Sequence, residues 1–132
     1  MHSASKAELV GYLEALRERG DAMSMLFMTV RTTSHGMIAG VIPGRSLVLD
    51  YVHGPWRSLR DSIRFSLFCR SRKLQSTWET WGKEKVSRCL LGQDSENAAD
   101  TIDACFDRMF DQRGPYAIDF RPFGWRSSNS QA

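Results

Sequence analysis

Three short apolar runs follow one another between residues 23 and 52, and a turn signal separates each run from the next. The runs span Met23 to Arg31, Met37 to Ile42 and Leu47 to Val52. The first connection ends at Gly36, and the second contains Pro43-Gly44, a pair that suits the centre of a type II turn. Connections this short join antiparallel strands, so this part of the chain is predicted to form a three-stranded meander.

A helix is predicted immediately before the meander. Ser5-Lys6-Ala7-Glu8 has the pattern of a capping box, in which the serine hydroxyl and the glutamate carboxylate satisfy free backbone N–H groups. Leucines recur at helical spacing after it, and Gly20 follows two arginines in the expected last turn. The pattern predicts a helix over residues 6–19.

A second amphipathic helix is predicted near the other end of the chain. Asp94 or Ser95 can cap it, and it extends to about Gln112 with one apolar side. Gly114-Pro115 then ends the helical pattern. Residues 116–120 alternate between apolar and polar, which is typical of a strand with one buried face.

The middle of the chain is compatible with more than one structure. Apolar side chains share one helical face at Trp56, Leu59, Ile63 and Leu67. Residues 63, 65, 67 and 69 also alternate as they would in a strand. We expect a helix over 56–68, with Phe65 and Phe68 off its apolar face. Two further strands are expected over 75–82 and 84–91.

Together these patterns predict an α+β fold. A chain of 132 residues suits one hydrophobic core. We expect one domain over residues 1–126, with an antiparallel sheet of about 4–5 strands that begins as a meander and carries the N-terminal and C-terminal helices. Residues 1–4 and 127–132 are small and polar, so we expect a frayed start and a disordered tail.

The cysteines and the hydropathy pattern indicate a cytoplasmic protein. Cys69, Cys89 and Cys105 are odd in number, widely spaced and each within an apolar stretch, as expected of buried reduced thiols. No stretch reaches the roughly 18 apolar residues of a membrane span, and the start lacks a secretory signal pattern. We therefore expect no membrane association.

Five acids recur along the predicted final helix: Glu96, Asp100, Asp103, Asp107 and Asp111. Their spacing of three or four residues puts them in one stripe away from the apolar side. Such a stripe is either an ordinary solvated face or a protein-binding surface that mimics phosphates. If it is an interface, replacing Asp103 and Asp107 by lysine is expected to weaken binding and leave the fold intact.

Basic residues dominate the middle of the chain. Residues 57–88 contain nine Lys or Arg and three Asp or Glu. An alternative function is therefore nucleic-acid binding, with candidate residues Arg57, Arg60, Arg64, Arg70 and Arg72. Trp78 and Trp81 would then stack on bases. The competing interpretations are that the arginines pair with the acidic helix of the same molecule and that the tryptophans belong to the core.

No motif commits the chain to catalysis or to a cofactor. The available groups are His35, His53, Asp50 and the three cysteines, and their spacing matches no nucleophile elbow, phosphate-binding loop or dinucleotide fingerprint. We predict no enzyme activity, although a small enzyme with an unrecognised site stays an alternative. The chain also lacks metal-ligand spacings such as Cys-x-x-Cys, so no metal is expected.

The order of elements resembles that of the small immunity proteins that bacteria encode beside contact-dependent or secreted polymorphic toxins. The resemblance is one of layout. It rests on the first helix at 9–16, on the meander that ends at 46–51, and on the closing segments 95–106, 114–115 and 118–125. It covers about half of the chain and does not include 56–91. Such immunity proteins are generally acidic, whereas this chain has a net charge of +3.

The resemblance implies a cognate inhibitor that docks on a toxin and occludes its active site without chemistry of its own. The acidic stripe of the final helix would then be the contact surface. A related alternative is a secretion chaperone, which would present an exposed apolar groove to its client.

Overall fold

The computed structural model describes residues 2–30, 36–52 and 59–121. The expectations for His35, His53, Arg57 and the tail at 127–132 lie outside these residues. None of the described helices is long and apolar enough to cross a membrane. The elements in chain order are β1 (His2–Ala4), α1 (Lys6–Arg19), β2 (Met25–Val30), β3 (Gly36–Val41), β4 (Leu47–Val52), α2 (Leu59–Ser71), β5 (Ser76–Trp81), β6 (Glu84–Gly92), α3 (Ser95–Phe110) and β7 (Tyr116–Arg121).

These seven strands form one antiparallel sheet in the order β1-β7-β2-β3-β4-β6-β5. The predicted meander is confirmed, since β2, β3 and β4 lie side by side at the centre of the sheet. The hairpin of β5 and β6 extends the sheet on one side, and β7 inserts between β1 and β2 on the other. The α+β class is confirmed, whereas the predicted number of about 4–5 strands is too low.

The additional edge strand β1 lies where the sequence predicted a frayed start. It pairs with residues 116–118 of β7, and Ala4 at its end is fully buried. A strand of three residues shows no periodicity of its own, and its partner lies at the far end of the sequence. Local pattern therefore gave no sign of it.

α1 has the predicted limits, and each end is fixed by side chains. At its start the Ser5 hydroxyl accepts from Glu8 N–H at 3.2 Å, and the Glu8 carboxylate accepts from Ser5 N–H at 2.9 Å. At its end Arg45, in the turn between β3 and β4, donates to the carbonyl groups of Arg17 at 2.8 Å and Gly20 at 2.7 Å. Arg45 thus satisfies carbonyl groups that a helix end leaves without intrahelical partners.

The ambiguous middle segment forms a helix, α2, as favoured, but it buries a different face from the one predicted. Phe65, Phe68 and Cys69 are buried against the sheet, whereas Ile63 and Leu67 are 50% and 46% exposed. The sequence placed Ile63 and Leu67 on the apolar face and the two phenylalanines off it. Burying two aromatic rings removes more apolar surface from water than burying two aliphatic side chains, which favours the observed face.

The helices and one face of the sheet enclose the hydrophobic core. Buried residues alternate along β2 and β3, so every second side chain of these strands faces the helices. The three cysteines lie in this core as free thiols, in agreement with the expectation of buried reduced cysteine. The largest fully buried side chains are Tyr51, Tyr116, Phe65, Phe106, Leu9, Leu13, Leu16, Leu26, Met28, Met37, Leu47 and Leu49.

Candidate functional site

The acids that the sequence singled out belong to α3. The helix begins after Asp94, whose carboxylate accepts from the backbone N–H groups of Glu96 at 3.0 Å and Asn97 at 3.1 Å. It ends at Asp111, which adopts a left-handed conformation with φ of 56°. The side that faces the sheet consists of Ala98, Ala99, Ile102, Cys105, Phe106 and Met109. This buried apolar side fixes the rotation of α3 about its axis and turns the opposite side to solvent.

Four of the five acids form an exposed row along α3. They are Glu96, Asp100, Asp107 and Asp111. Asp100 forms an ion pair with Lys6 of α1, and this hydrogen bond raises the pKa of Lys6. The carboxylate of Asp107 lies 3.5 Å from the guanidinium of Arg113. Exposed ion pairs of this kind contribute little to stability, so the row is a solvent-facing line of negative charge.

Asp103 differs from the other four acids because it is buried. Its carboxylate accepts hydrogen bonds from the Tyr116 hydroxyl, from Arg113 at 2.7 Å and from Gly114 N–H at 3.4 Å. At about 100° per residue it is the acid nearest to the apolar side of α3. Burial raises the pKa of Asp103, but the hydrogen bonds and the charge of Arg113 outweigh burial, and the pKa is lowered.

The position of Asp103 corrects the expectation that lysine at this residue leaves the fold intact. A lysine would place a second positive charge beside Arg113 and would remove the acceptor of the buried Tyr116 hydroxyl. Leaving the buried Tyr116 hydroxyl without an acceptor alone destabilises a protein by about 1–3 kcal/mol. Charge reversal at Glu96 and Asp107, which are both exposed, tests the surface without that damage.

α2 and α3 meet at the C-terminal end of α3. An open depression of about 620 Å³ lies there, lined by Arg64, Asp107, Arg108, Met109, Phe110 and Asp111. Nη1 of Arg64 donates to the carbonyl oxygen of Met109 at 3.3 Å. The basic helix and the acidic helix are therefore in contact, and Arg64 binds the negative end of the α3 backbone there.

The chain matches no protein-family model, no curated protein and no solved structure. The predicted acidic residues and three of the predicted basic residues, Arg60, Arg64 and Arg70, belong to neighbouring helices.

The arginines of the alternative nucleic-acid site do not form one row in the structure. Arg64 and Arg70 are six residues apart on α2, which places them about 120° apart around the helix axis. Arg72 lies beyond the end of α2. Arg60 belongs to the first turn of α2, and Arg57 lies outside the described residues. A phosphate backbone that follows one face of α2 would contact only part of this set.

The two tryptophans of β5 lie on opposite faces of the sheet. Trp78 is 61% exposed on the helix side. Trp81 lies on the other face, in a small cleft that it shares with Asp50 and Arg88. Rings on opposite faces of a strand cannot stack on successive bases of one nucleic-acid strand.

A charged pair on the sheet face opposite the helices was not found by sequence reasoning. Arg88 of β6 donates to both carboxylate oxygens of Asp50 of β4, at 2.8 and 3.0 Å. Burial raises the pKa of Asp50 more than Arg88 lowers it. The adjoining cleft has a volume of about 40 Å³, which suits one or two water molecules. The two residues are 38 positions apart, so only the strand register brings them together.

Among the described groups considered for catalysis, the thiols of Cys69 and Cys89 are hydrogen-bonded to each other in the core, and this contact lowers the pKa of Cys69 and raises that of Cys89. Both histidines considered, His35 and His53, lie outside the described ranges. Burial raises the pKa of the Cys105 thiol, which disfavours its nucleophilic thiolate. Within 2–30, 36–52 and 59–121, no group of three His, Cys, Asp or Glu side chains is arranged to hold a metal ion.

Proposed function

We propose that this chain is a protein-binding module and that the exposed acids of α3 dock on a basic surface of its partner. The supporting observation is the solvent-facing row of Glu96, Asp100, Asp107 and Asp111. Acids three or four residues apart on a helix repel one another, and the helix dipole disfavours the last two. These effects weaken the C-terminal part of the helix, and a positively charged partner would offset them.

Exposed apolar residues accompany the acids on the outer side of the helix layer. Ile63 and Leu67 lie four residues apart on α2 and are about half exposed. They point away from the sheet because Phe65 and Phe68 face it. Apolar side chains beside charged ones are the composition of protein interfaces, in which apolar burial supplies affinity and charge supplies orientation.

The layout resemblance to immunity proteins suggests a bacterial toxin as the partner. The acids of α3 would occupy the basic groove in which a nuclease or a similar toxin holds phosphates. The bound domain would then exclude the substrate from the toxin's active site. This mode of inhibition requires no catalytic group in the chain itself.

The test is a double charge reversal on α3, with a single charge reversal on α1 as the control. We expect Glu96→Lys with Asp107→Lys to abolish partner capture, because four units of charge change in the proposed interface. The control is Glu18→Lys, which reverses the charge of an exposed acid on α1. Both proteins should melt within a few degrees of the wild type, because surface substitutions usually change stability by about 0.5 kcal/mol or less.

The measurement is affinity capture from the native lysate by each tagged protein, followed by mass spectrometry and a growth-protection assay with the captured protein. The proposal predicts a stoichiometric partner that impairs growth when expressed alone, and protection by the wild type and the control only. Equal capture by all three proteins would exclude the acidic row as the interface. Recovery of nucleic acid alone, released by salt, would instead favour the basic alternative.

A further inference from the structure

β5 leaves one edge of the sheet open to a further strand. It is the last strand on its side, and its only partner among the described strands is β6. Leu90 N–H donates to the carbonyl oxygen of Gln75 at 2.9 Å, which marks residue 75 as a position that is hydrogen-bonded to β6. Positions alternate along an antiparallel strand, so Thr77 and Glu79 also face β6, whereas Ser76 and Thr80 direct their backbone N–H and C=O groups outwards.

Three of the features that protect sheet edges from pairing are absent from β5. Natural edge strands are blunted by short length, by proline or by lysine within the strand. The opposite edge follows this rule, since β1 has three residues. β5 has six residues, contains no proline and no lysine, and is largely exposed along its length. Its threonine and tryptophan residues favour extended structure.

Positive charge flanks both ends of this edge. Arg72 and Lys73 are exposed just before β5, and Lys83 is exposed in the turn after it. Lys85 is exposed at the start of β6, next to the acid Glu84. The acid within the strand, Glu79, lies 4.0 Å from Arg88. An extended segment alongside β5 would therefore have basic side chains near each of its ends.

The distribution of charge selects between two possible occupants. A second copy of the chain, paired about a two-fold axis at Trp78, would bring Lys83 of each copy opposite Lys73 of the other. Like charges opposite one another destabilise strand pairing. An acidic extended peptide has the complementary charge at both ends. The exposed ring of Trp78, on the helix side of β5, offers it an apolar contact.

We propose that the outer edge of β5 binds an extended acidic peptide segment as an eighth strand of the sheet. Backbone hydrogen bonds to Ser76 and Thr80 provide the pairing, and the flanking lysine and arginine residues select acidic sequences. This surface is separate from the acidic row of α3, and the proposal does not depend on the function proposed above.

The test uses the full chain and a fluorescein-labelled nonapeptide with two glutamates at each end and alternating threonine and valine between them. Fluorescence polarisation measures the Kd. The matched probe has the same sequence with alternate backbone nitrogens methylated, which keeps charge and side chains but removes the donors of one peptide edge. We expect the methylated peptide to bind at least about tenfold more weakly, because several backbone hydrogen bonds are lost.

A substitution in the protein gives an independent test. Thr80→Pro removes an N–H group that points outwards, so the pairing of β5 with β6 is retained. Thr80→Val keeps that N–H group and serves as the control. We expect Thr80→Pro to raise the Kd of the peptide about tenfold and Thr80→Val to leave it nearly unchanged.

Three results would overturn the proposal. The first is that the wild-type protein does not bind the acidic peptide, or binds the methylated peptide equally tightly. This result does not depend on how any variant folds. The second is tighter binding of an oligothymidylate probe than of the peptide, because the basic residues beside β5 would then bind nucleic acid. The third is a dimer in light scattering that Thr80→Pro dissociates, because a second copy would then occupy the edge.

Discussion

Asp103 joins three parts of the molecule through one carboxylate. It lies on α3, and it accepts hydrogen bonds from Arg113 and Gly114 of the following loop and from Tyr116 of β7. A buried carboxylate is stable only when such partners replace the water it has lost. Its side chain thereby fixes the direction in which the chain leaves the helix and enters the sheet.

Replacing Asp103 by asparagine should lower the free energy of unfolding at about pH 7 by about 1.5–3 kcal/mol, because hydrogen bonds to a charged group are lost. The loss should depend on pH. The fold lowers the pKa of Asp103, so its ionised form stabilises the fold above about pH 4, and this contribution disappears as the pH falls through the folded pKa. Urea unfolding of the variant and the wild type at about pH 7 and about pH 3 measures both effects.

The matched control is Asp107→Asn, the same substitution at an exposed position of the same helix. It should change the stability by about 0.5 kcal/mol or less at either pH. A loss in the Asp103 variant that is equally large at low pH would show that its carboxylate does not stabilise the fold through its charge.

At the scale of elements, Arg45 links the β3–β4 turn to the end of α1. Arg45→Ala should lower the free energy of unfolding by about 1.5–3 kcal/mol, since it removes a charged donor from the carbonyl groups of Leu16, Arg17 and Gly20. Arg45→Lys should retain only part of this stability, because one ammonium group lacks the planar fork of a guanidinium. Both variants keep a non-glycine residue at φ of 69°, so backbone strain is matched.

Urea denaturation measures the difference in free energy of unfolding between the two Arg45 variants, when both curves are fitted with the same dependence on urea concentration. Lysine at this position with full wild-type stability would mean that charge alone, and not the directed hydrogen bonds, holds the end of α1.

The elements that were predicted correctly carry their signals within a few consecutive residues. The start of α1 follows from a capping box and its end from Gly20 after a basic last turn, and the start of α3 follows from the Asp94 cap. The prediction of the buried face of α2 was wrong because periodicity counts apolar positions without weighing the size of their side chains. The pairing of β1 with β7 depends on residues from opposite ends of the chain, which no local window contains.

The residues of the candidate site also fall into two groups, those that local spacing predicts and those whose partners are distant in the sequence. The spacing of the acids alone placed Glu96, Asp100, Asp107 and Asp111 along one exposed row. Asp103 departs from that row because its partners come from the loop after α3 and from β7, and neither is visible in the helical pattern. The Asp50–Arg88 pair needs the register of β4 and β6, which is set by packing of the whole sheet.

At the scale of the whole molecule, hydrogen exchange should follow the strand order. Amides of β3 and β4, at the centre of the sheet, should exchange most slowly, and those of β1 most rapidly. Within β5, Thr77 and Glu79 should be protected by β6, whereas Ser76 and Thr80 should exchange faster. Exchange of the wild-type chain followed by NMR resolves single amides, and uniform protection along β5 would contradict the open edge.

The insertion of β7 between β1 and β2 also bears on synthesis at the ribosome. β7 is made after every other described element, yet it supplies the neighbour of β2. While β3 through α3 emerge, the growing chain therefore carries β2 with one unsatisfied edge, and such edges are templates for association between nascent chains. The interval between translation of β2 and of β7 is thus when this protein is most exposed to misassembly and to chaperone capture.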